Sequence, residues 1–427
     1  MELLNKRISV CIVVIFMLML FPICGDTADK LPTIEELTNG KVKIGDLVDK
    51  NNVDLVKEYL SSGVYELVKR GLVLRMAKQE IPPEKLTPKT FQEATERNRG
   101  KAIINEKGVV YLKDGSLWPG GLPFPDPKTG NEVMGNVKYG IAYSDLLHDP
   151  NWIFYINKKG ERYKKVGQYH KWIITNCRTK LPPLGTIPGY KDVLYKRLSA
   201  TTYPLEIKGL GQFNVRYYDD AEKYDTGFVY LPAFKRTIRV SAITWQDNIA
   251  GSDLIYGDAN ATLEPYCYWN FKFIKKTYLL TPELKNPFTY YDEKGNFDKR
   301  LKFDEGYKFP RLGWAILPAH IVEATPKIKH LYKKKLFYVV AYPYWLVCSD
   351  ILMTDNFDLQ NKLWRVYFHL YGDYYELDGE TYHLTYGCLV YDFQSEHSTQ
   401  MWYKEYLDRG NYKPEDVTLR SLLEWGR

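Results

Sequence analysis

The chain has 427 residues with 59 basic and 52 acidic side chains, which gives a net charge of +7 at pH 7. This charge is small and its lysine pairs are scattered, so the composition argues against nucleic acid as a partner, which requires a clustered basic surface. The mean hydropathy is negative, and a chain of this length can bury a sizeable core, so we expect a globular protein.

The first element is an export signal. Lys6 and Arg7 precede an apolar run over residues 8–21, after which the chain returns to polar sequence. This order is typical of a secretory signal peptide, and the run is shorter than the roughly 20 residues that a membrane span requires. We predict that residues 1–25 form the signal peptide, with cleavage after Gly25, and that the mature protein is exported.

The cysteines bear on anchoring and on cross-linking. Ile23 stands where a lipoprotein signal requires a small residue, which argues against lipid anchoring at Cys24. Export would leave four cysteines in an oxidising compartment, where they either form two disulfides in one of three pairings or remain buried thiols. None belongs to a Cys-x-x-Cys pair, which excludes thioredoxin-like and zinc-ribbon arrangements; the four are Cys177, Cys267, Cys348 and Cys388.

An N-terminal helical region is predicted over residues 26–100. Val53 and Val56 belong to an amphipathic helical pattern, and the same pattern continues over residues 64–76 before a pair of prolines ends it. Residues 84–100 are charged and polar and have room for one more short helix. We expect these helices to pack on or over the rest of the fold.

Strand signals dominate the rest of the chain, over residues 101–427. A loop over residues 118–127 is rich in proline and glycine, and Phe124, flanked by prolines, is a candidate plug for a cavity. We predict short helices at residues 403–407 and 419–425. Strands are predicted at residues 109–112, 153–157, 168–175, 194–200, 213–218, 228–230, 237–245, 266–274, 336–340, 364–371 and 382–392. This succession predicts a mainly β (α+β) fold with one large curved antiparallel sheet.

Alternation within two of these runs indicates which residues share a face of the sheet. One face is apolar and the other is rich in tyrosine. With 36 tyrosines and 10 tryptophans in the chain, we expect part of the second face to be sheltered as well, although an aromatic-rich core is an alternative explanation. The apolar sets are Trp269, Phe271 and Phe273, and Trp364, Val366, Phe368 and Leu370; the second face of residues 364–371 carries Arg365, Tyr367, His369 and Tyr371.

Motifs of known catalytic chemistry are absent from the sequence. There is no nucleophile elbow, no zinc-protease helix and no phosphate-binding loop. Acid–base chemistry at Asp219 with Asp220, or at Asp373 with Glu376, and a metal site near the C-terminal histidines remain alternatives without diagnostic spacing. We predict no catalytic residue, no cofactor and no metal.

Four lysine clusters have two interpretations. They are either solvated strand ends and turns, which is the commoner case, or contacts for anionic lipid head groups. The clusters are Lys158-Lys159, Lys164-Lys165, Lys275-Lys276 and Lys333-Lys334-Lys335.

Residues 228–258 resemble a region of periplasmic lipoprotein carriers, in which a hairpin ends at a Gly-Ser-Asp corner, here Gly251, Ser252 and Asp253. Several blocks together resemble the exported bacterial family called domain of unknown function 1329, which is similar in fold to the lipoprotein carrier and outer-membrane receptor of the Lol system. The blocks lie at residues 43–46, 70–71, 121–127, 230–258, 314, 322–327, 332–335, 363–366 and 418–427.

The resemblance implies an open half-barrel around an apolar cavity, and a periplasmic carrier for a lipid or other hydrophobic molecule. The implied partners are an envelope transporter of the resistance-nodulation-division type or an outer-membrane protein. An enzyme acting on an envelope lipid or glycan, and a non-catalytic scaffold or glycan-binding module, are the alternatives. From the strand faces we predict a cavity lined by Trp245, Trp269, Phe271, Phe273, Trp314, Trp364 and Phe368, with Phe124 as its plug.

Overall fold

A computed structural model describes residues 31–240, 245–284, 294, 296, 299–346 and 350–425, except for the side chains of residues 372–375, 381, 383, 384 and 425. The predicted signal peptide therefore lies outside the described residues. Within them, no helix is long and apolar enough to cross a membrane.

Short helices punctuate a chain of strands, and side-chain caps begin several of them. Thr33 and Glu36 form a capping box at the first helix, Ser61 caps the second, and Thr129 with Glu132 caps the fourth. The α-helices are α1 (Ile34–Leu37), α2 (Ser62–Lys69), α3 (Lys89–Asn98), α4 (Gly130–Tyr139) and α5 (Leu419–Trp425). The 3-10 helices are Val53–Tyr59, Pro83–Lys85, Leu205–Ile207, Pro232–Phe234, Tyr256–Ala261, Tyr266–Tyr268 and Pro414–Asp416.

The described strands include many that are long and rich in β-branched and aromatic residues, which favour a pleated surface. They are β1 (Leu47–Val48), β2 (Leu74–Met76), β3 (Ala102–Ile104), β4 (Val110–Leu112), β5 (Asp145–Ile156), β6 (Arg162–Ile174), β7 (Val193–Tyr203), β8 (Gly211–Tyr217), β9 (Thr226–Leu231), β10 (Arg236–Val240), β11 (Trp269–Pro282), β12 (Phe303–Asp304), β13 (Phe309–Pro310), β14 (Gly313–Pro326), β15 (Lys334–Val340), β16 (Ile351–Phe357), β17 (Leu363–Leu377), β18 (Glu380–Asp392) and β19 (His397–Leu407).

One open sheet contains fifteen of these strands. Its order is β1-β2-β14-β15-β16-β17-β18-β19-β5-β6-β7-β8-β9-β10, and β11 pairs with the other edge of β14. The β2–β14 pair is parallel and every other described pair in this sheet is antiparallel. The sheet does not close into a barrel, so β10 and β11 are edge strands. The predicted mainly β fold with a large, open antiparallel sheet is confirmed.

The two faces of this sheet are covered by different segments. We call the face that carries Val366 and Phe368 the packed face: α2 lies against it, with Gly63 so close that a Cβ there would lie 2.4 Å from Val366. Farther along, α5 covers the same face, and a Cβ on Gly211 would lie 2.3 Å from Leu422. We call the face that carries Tyr367 and His369 the cavity face. The segment 245–266, which we call the lid, covers it together with α4.

The structure also corrects and extends the predicted elements. The predicted helix at residues 403–407 is wrong, because these residues extend β19, which pairs with β5 through Trp402 and Tyr406. The helix predicted at residues 419–425 is confirmed as α5. The helical pattern predicted over residues 64–76 is wrong at its end, because α2 ends at Lys69 and residues 74–76 form β2; α4, β14 and β16 were not predicted. The proposed division into regions 26–100 and 101–427 stays a prediction, although β1 and β2 of the first region join the main sheet.

Candidate ligand-binding cavities

Two neighbouring cavities lie between the cavity face and the lid. The first, which we call the Arg216 cavity, has a volume of about 120 Å³ and extends from α4 to β17. The second, which we call the His170 cavity, has about 90 Å³ and lies over β5 to β8, β18 and β19. Trp172 and Asn260 line both cavities. Alternation along β6 and β7 places Gln168, His170 and Trp172 on the same face of the sheet as Arg197 and Ser199.

Apolar and polar groups are combined in the His170 cavity. Ile153 and Met401 belong to its sheet side, whereas Ile249 and Leu254 come from the lid. Arg197 projects from β7 into the same space, beside Ser199. The cavity therefore combines apolar side chains with a small number of polar groups, the usual composition of a small-molecule site.

Arg197 is a weakly compensated cation in this cavity. Its guanidinium lies over the ring of Trp172, 5.6 Å from the centroid, and its Nη2 is 3.5 Å from Asn214 Oδ1, the limit of a hydrogen bond. It forms no ion pair within the described residues, and burial lowers its pKa. A half-buried cation of this kind is stabilised by a ligand that carries an anionic group.

Two further polar atoms in the His170 cavity have no partner. His170 Nε2 lies 3.0 Å from Gln168 Oε1 and 2.9 Å from Asn151 Nδ2, whereas its Nδ1 has no hydrogen bond in the described structure. Asn151 Oδ1 is equally buried and unpaired among the described residues. Burial lowers the pKa of His170 well below its ordinary value, so the ring is neutral. Orphaned buried polar atoms at a cavity indicate that a ligand or water completes the hydrogen bonding.

His148 lies at the same cavity and is held in place by its neighbours. Its ring stacks on Tyr403 with centroids 4.2 Å apart, and its Nε2 is 2.9 Å from Glu405 Oε1. Burial lowers the pKa of His148 to about 3, so the neutral ring donates to the carboxylate. His148 therefore fixes the cavity wall, and it is not poised to exchange a proton near neutral pH.

Ion pairs surround the Arg216 cavity. Arg216 Nε lies 2.7 Å from Asp225 Oδ1, and its Nη1 is 3.4 Å from Asp220 Oδ2. Lys138 Nζ from α4 lies 2.5 Å from Asp220 Oδ1. These four groups compensate one another. Burial opposes the charge of Arg216, but the carboxylates raise its pKa.

Asp350 is the exception at this cavity. Its Oδ1 is buried and has no hydrogen-bond partner in the part of the chain that the structure describes. Burial raises the pKa of its carboxyl well above the ordinary value. A buried carboxyl oxygen without a partner is costly for the fold, and it is available to a ligand that donates a hydrogen bond.

The lid is fixed to the sheet by a buried charged cluster. Lys335 Nζ of β15 lies 2.7 Å from Asp258 Oδ1 and 3.6 Å from Glu264 Oε2 of the lid. Glu264 also accepts from Trp269 Nε1 and lies 2.9 Å from His330 Nε2. Burial opposes ionisation of Glu264, but Lys335 and His330 hold its pKa below the ordinary value. This end of the lid is anchored.

None of the eight residues predicted as cavity lining or plug lines either of these cavities. Trp314 and Phe368 pack together in the core with ring centroids 5.8 Å apart. Phe271 and Phe273 pack against Phe337 and His320. A role for the eight residues in ligand binding stays a prediction.

The four remaining members of that set have other partners. Trp269 belongs to the lid cluster just described. Trp245 lies under the guanidinium of Arg216 at 5.6 Å, and Trp364 Nε1 donates to Asp392 Oδ2 at 2.9 Å. Phe124 is fixed through its backbone, because its nitrogen donates to Asn136 Oδ1 at 2.8 Å and its oxygen accepts from Asn136 Nδ2 at 2.7 Å.

Three side chains of the alternative catalytic and metal sites make structural contacts. Asp220 forms the two ion pairs of the Arg216 cavity, and Asp219 accepts backbone hydrogen bonds from Ala221 and Glu222. His369 donates from Nδ1 to the oxygen of Ile351 at 2.6 Å. No group of three or more potential metal ligands occurs among the described residues.

Three of the four cysteines are described and form no disulfide. The fourth cysteine and two of the candidate catalytic or metal-binding side chains lie outside the described residues. Cys177, Cys267 and Cys388 are free thiols. Cys348 lies outside the described residues, as do the side chains of Asp373 and His383.

Comparison with known proteins identifies the family. The model of the family described as "Protein of unknown function (DUF1329)" matches residues 47–417. The chain belongs to this family. A DUF1329 family protein from Desulfovibrio piger is similar in structure, with a TM-score of 0.44 and 14% identity over 66% of this chain and 92% of that one. A LolA superfamily protein from Nitrosomonas europaea is similar with a TM-score of 0.38 and 10% identity, over 69% and 100% of the two chains. No curated protein matches.

Proposed function

We propose that this DUF1329 protein is a periplasmic carrier that binds an amphipathic molecule, with the tail in the apolar part of the cavities and an anionic head group at Arg197. One observation carries the proposal: space remains between the sheet and a lid, and polar atoms without partners in the described structure face that space. The predicted signal peptide supports the periplasmic location. An envelope transporter or an outer-membrane protein would supply or receive the cargo.

The volume of the two cavities limits the size of the cargo that they can hold without a change in structure. Ligand pockets for small molecules enclose roughly 300–1,000 Å³. The two cavities, at about 120 and 90 Å³, are smaller. A cargo with a long tail therefore requires the lid to move away from the sheet and join the two spaces. Each buried methylene contributes about 0.8 kcal/mol, which is the driving force for that opening.

Extraction of the purified protein with organic solvent, followed by mass spectrometry, tests for a bound cargo directly. We expect an amphiphile in stoichiometric amount. Binding of a fluorescent fatty acid gives the second measurement, and Ser199→Phe, which fills the His170 cavity, should weaken it by about tenfold or more, equivalent to about 1.4 kcal/mol. Thr202→Phe is the matched control, because Thr202 lies on the same strand but is exposed and lines neither cavity.

The head-group assignment has its own test. Arg197→Met should weaken binding of the fatty acid but leave binding of its uncharged methyl ester nearly unchanged, because only the carboxylate interacts with the guanidinium. The proposal is contradicted if no amphiphile is extracted and no probe binds, or if Ser199→Phe and Thr202→Phe bind the probe as well as the original protein does.

A further inference from the structure

Several strand connections lie together at one end of the sheet. Ile156 of β5 pairs with Arg162 of β6 across a short turn, and Leu231 of β9 pairs with Arg236 of β10 across another. Between them, Tyr203 at the end of β7 pairs with Gly167 of β6. Because neighbouring strands are antiparallel, the connections that follow β5, β7 and β9 meet at the same end.

These connections expose apolar side chains at their tips. Leu205, after β7, and Phe234, after β9, are 77% and 71% exposed, which makes them the two most exposed large apolar side chains among the described residues. Tyr163 on β6 and Ile238 on β10 are 55% and 52% exposed. Exposed apolar groups that cluster in this way mark an interaction surface, whereas single ones are ordinary.

Basic side chains surround these tips. Lys158, Lys159, Lys208, Lys235 and Arg236 are exposed, and none forms an ion pair in the described structure. We call this surface, with Leu205 and Phe234, the basic end. The acidic side chains in the same connections are Glu161, which is held by Asn157 Nδ2 at 2.9 Å, and Glu206. The local charge is therefore positive.

We propose that the basic end docks on an anionic lipid bilayer. Phe234 and Leu205 would enter the head-group region, while the lysines and arginine contact lipid phosphates. Another protein strand pairing with the edge of β10 is the competing occupant. The charges favour the bilayer, because exposed basic residues on an edge strand discourage strand pairing and attract anionic surfaces.

The position of the lid connects this docking with cargo exchange, a step that rests on the proposed function. Tyr155 Oη and Lys164 Nζ both donate to the oxygen of Ala250 at the tip of the lid, each at 3.3 Å. Tyr155 also lines the His170 cavity. The tip of the lid therefore closes the cavity on the side next to the basic end, where a docked bilayer would exchange cargo.

Sedimentation with vesicles tests the docking without any cargo measurement. The purified full-length protein is mixed with vesicles of phosphatidylcholine alone, or of phosphatidylcholine with a minority of phosphatidylglycerol. We expect sedimentation with the anionic vesicles only, and its loss at high salt. Changing Lys208, Lys235 and Arg236 together to Ser should weaken it about a hundredfold, since each basic residue near the surface contributes about fivefold. Phe234→Ser with Leu205→Ser should weaken it about tenfold or more.

Matched control variants show whether vesicle binding depends on the basic end, and not on net charge or on the apolar N-terminal segment. Lys41, Lys43 and Lys50, changed together to Ser, remove the same charge from exposed positions near β1, at the other end of the strand order. Leu184→Ser removes an apolar side chain that is 58% exposed between β6 and β7. An apolar N-terminal segment is the same in every variant. The proposal is overturned if neutral and anionic vesicles sediment the protein equally, if neither does, or if the control variants lose as much binding.

Discussion

The two faces of the sheet use aromatic residues in different ways. Trp314 packs on Phe368 of the packed face, and both belong to the main hydrophobic core. On the cavity face, Tyr367 donates to His369 Nε2 at 2.9 Å, and His170 and Asn151 retain polar atoms without partners among the described residues. Apolar side chains can shift to fill gaps, but rings held by directional hydrogen bonds cannot. Open space in this fold therefore lies beside the hydrogen-bonded aromatic residues of the cavity face.

The largest expected effect is on the packed face. Trp314→Ala should lower the free energy of unfolding by about 4 kcal/mol, because Trp314 is 1% exposed and its loss leaves a large cavity in the core. Fatty-acid binding should not change in the fraction that remains folded. Chemical denaturation measures the first quantity, and Trp314→Phe is the control, with a much smaller loss. If both variants lost fatty-acid binding while fully folded, the distinction between the packed face and the cavity face would fail.

The free energy of unfolding should depend on pH through a histidine of the cavity face. Burial lowers the pKa of His369 to about 4, from an ordinary value of 6.5. A depressed pKa in the folded state contributes stability that is present above pH 6.5 and is lost as the pH falls towards 4. Replacing the ring by an uncharged side chain in His369→Gln should reduce that loss by about 2–3 kcal/mol.

Denaturation curves at several pH values test this expectation. Trp314→Phe, on the other face, should retain the pH slope of the original protein. An unchanged slope in His369→Gln would show that this histidine is not held neutral by burial, and the electrostatic distinction between the faces would fail.

The smallest expected effect is at the Arg216 cavity. Asp350→Asn should raise the free energy of unfolding by about 1 kcal/mol near neutral pH, because it removes an unpaired carboxyl whose pKa is raised by burial. The gain should grow as the pH rises, since ionising the buried acid destabilises the fold. Thermal denaturation measures the change. Asp220→Asn should do the opposite, because Asp220 compensates Lys138 and Arg216.

Much of the fold could be predicted from the sequence because alternation in a strand is a local signal. The runs around residues 168–175, 194–200 and 364–371 all became strands of the main sheet. Residues 403–407 also alternate in burial, but a short amphipathic run does not distinguish strand from helix until its partner β5 is known. The helix α4 was missed although Thr129 and Glu132 carry its capping signal.

The cavity itself was less predictable. The predicted lining consisted of aromatic residues such as Trp314 and Phe368, which are packed in the core, and it left out the polar residues that line the cavities. Arg197 and Ser199 alternate with Leu198 and Ala200, and this alternation was the available signal. Which polar face is sheltered depends on the lid, and its cluster of Asp258, Glu264 and Lys335 joins residues far apart in the chain. The spacing of these residues in the sequence does not indicate such a contact.

Photolabelling with a fatty acid that carries a diazirine in its tail, followed by peptide mapping, tests the central claim most directly. We predict that the label attaches to residues of the His170 cavity, on the sheet at Ile153 and Met401 and on the lid at Ile249 and Leu254. Excess unlabelled fatty acid should prevent the labelling. Attachment to Trp314 and Phe368, on the packed face, would contradict the account.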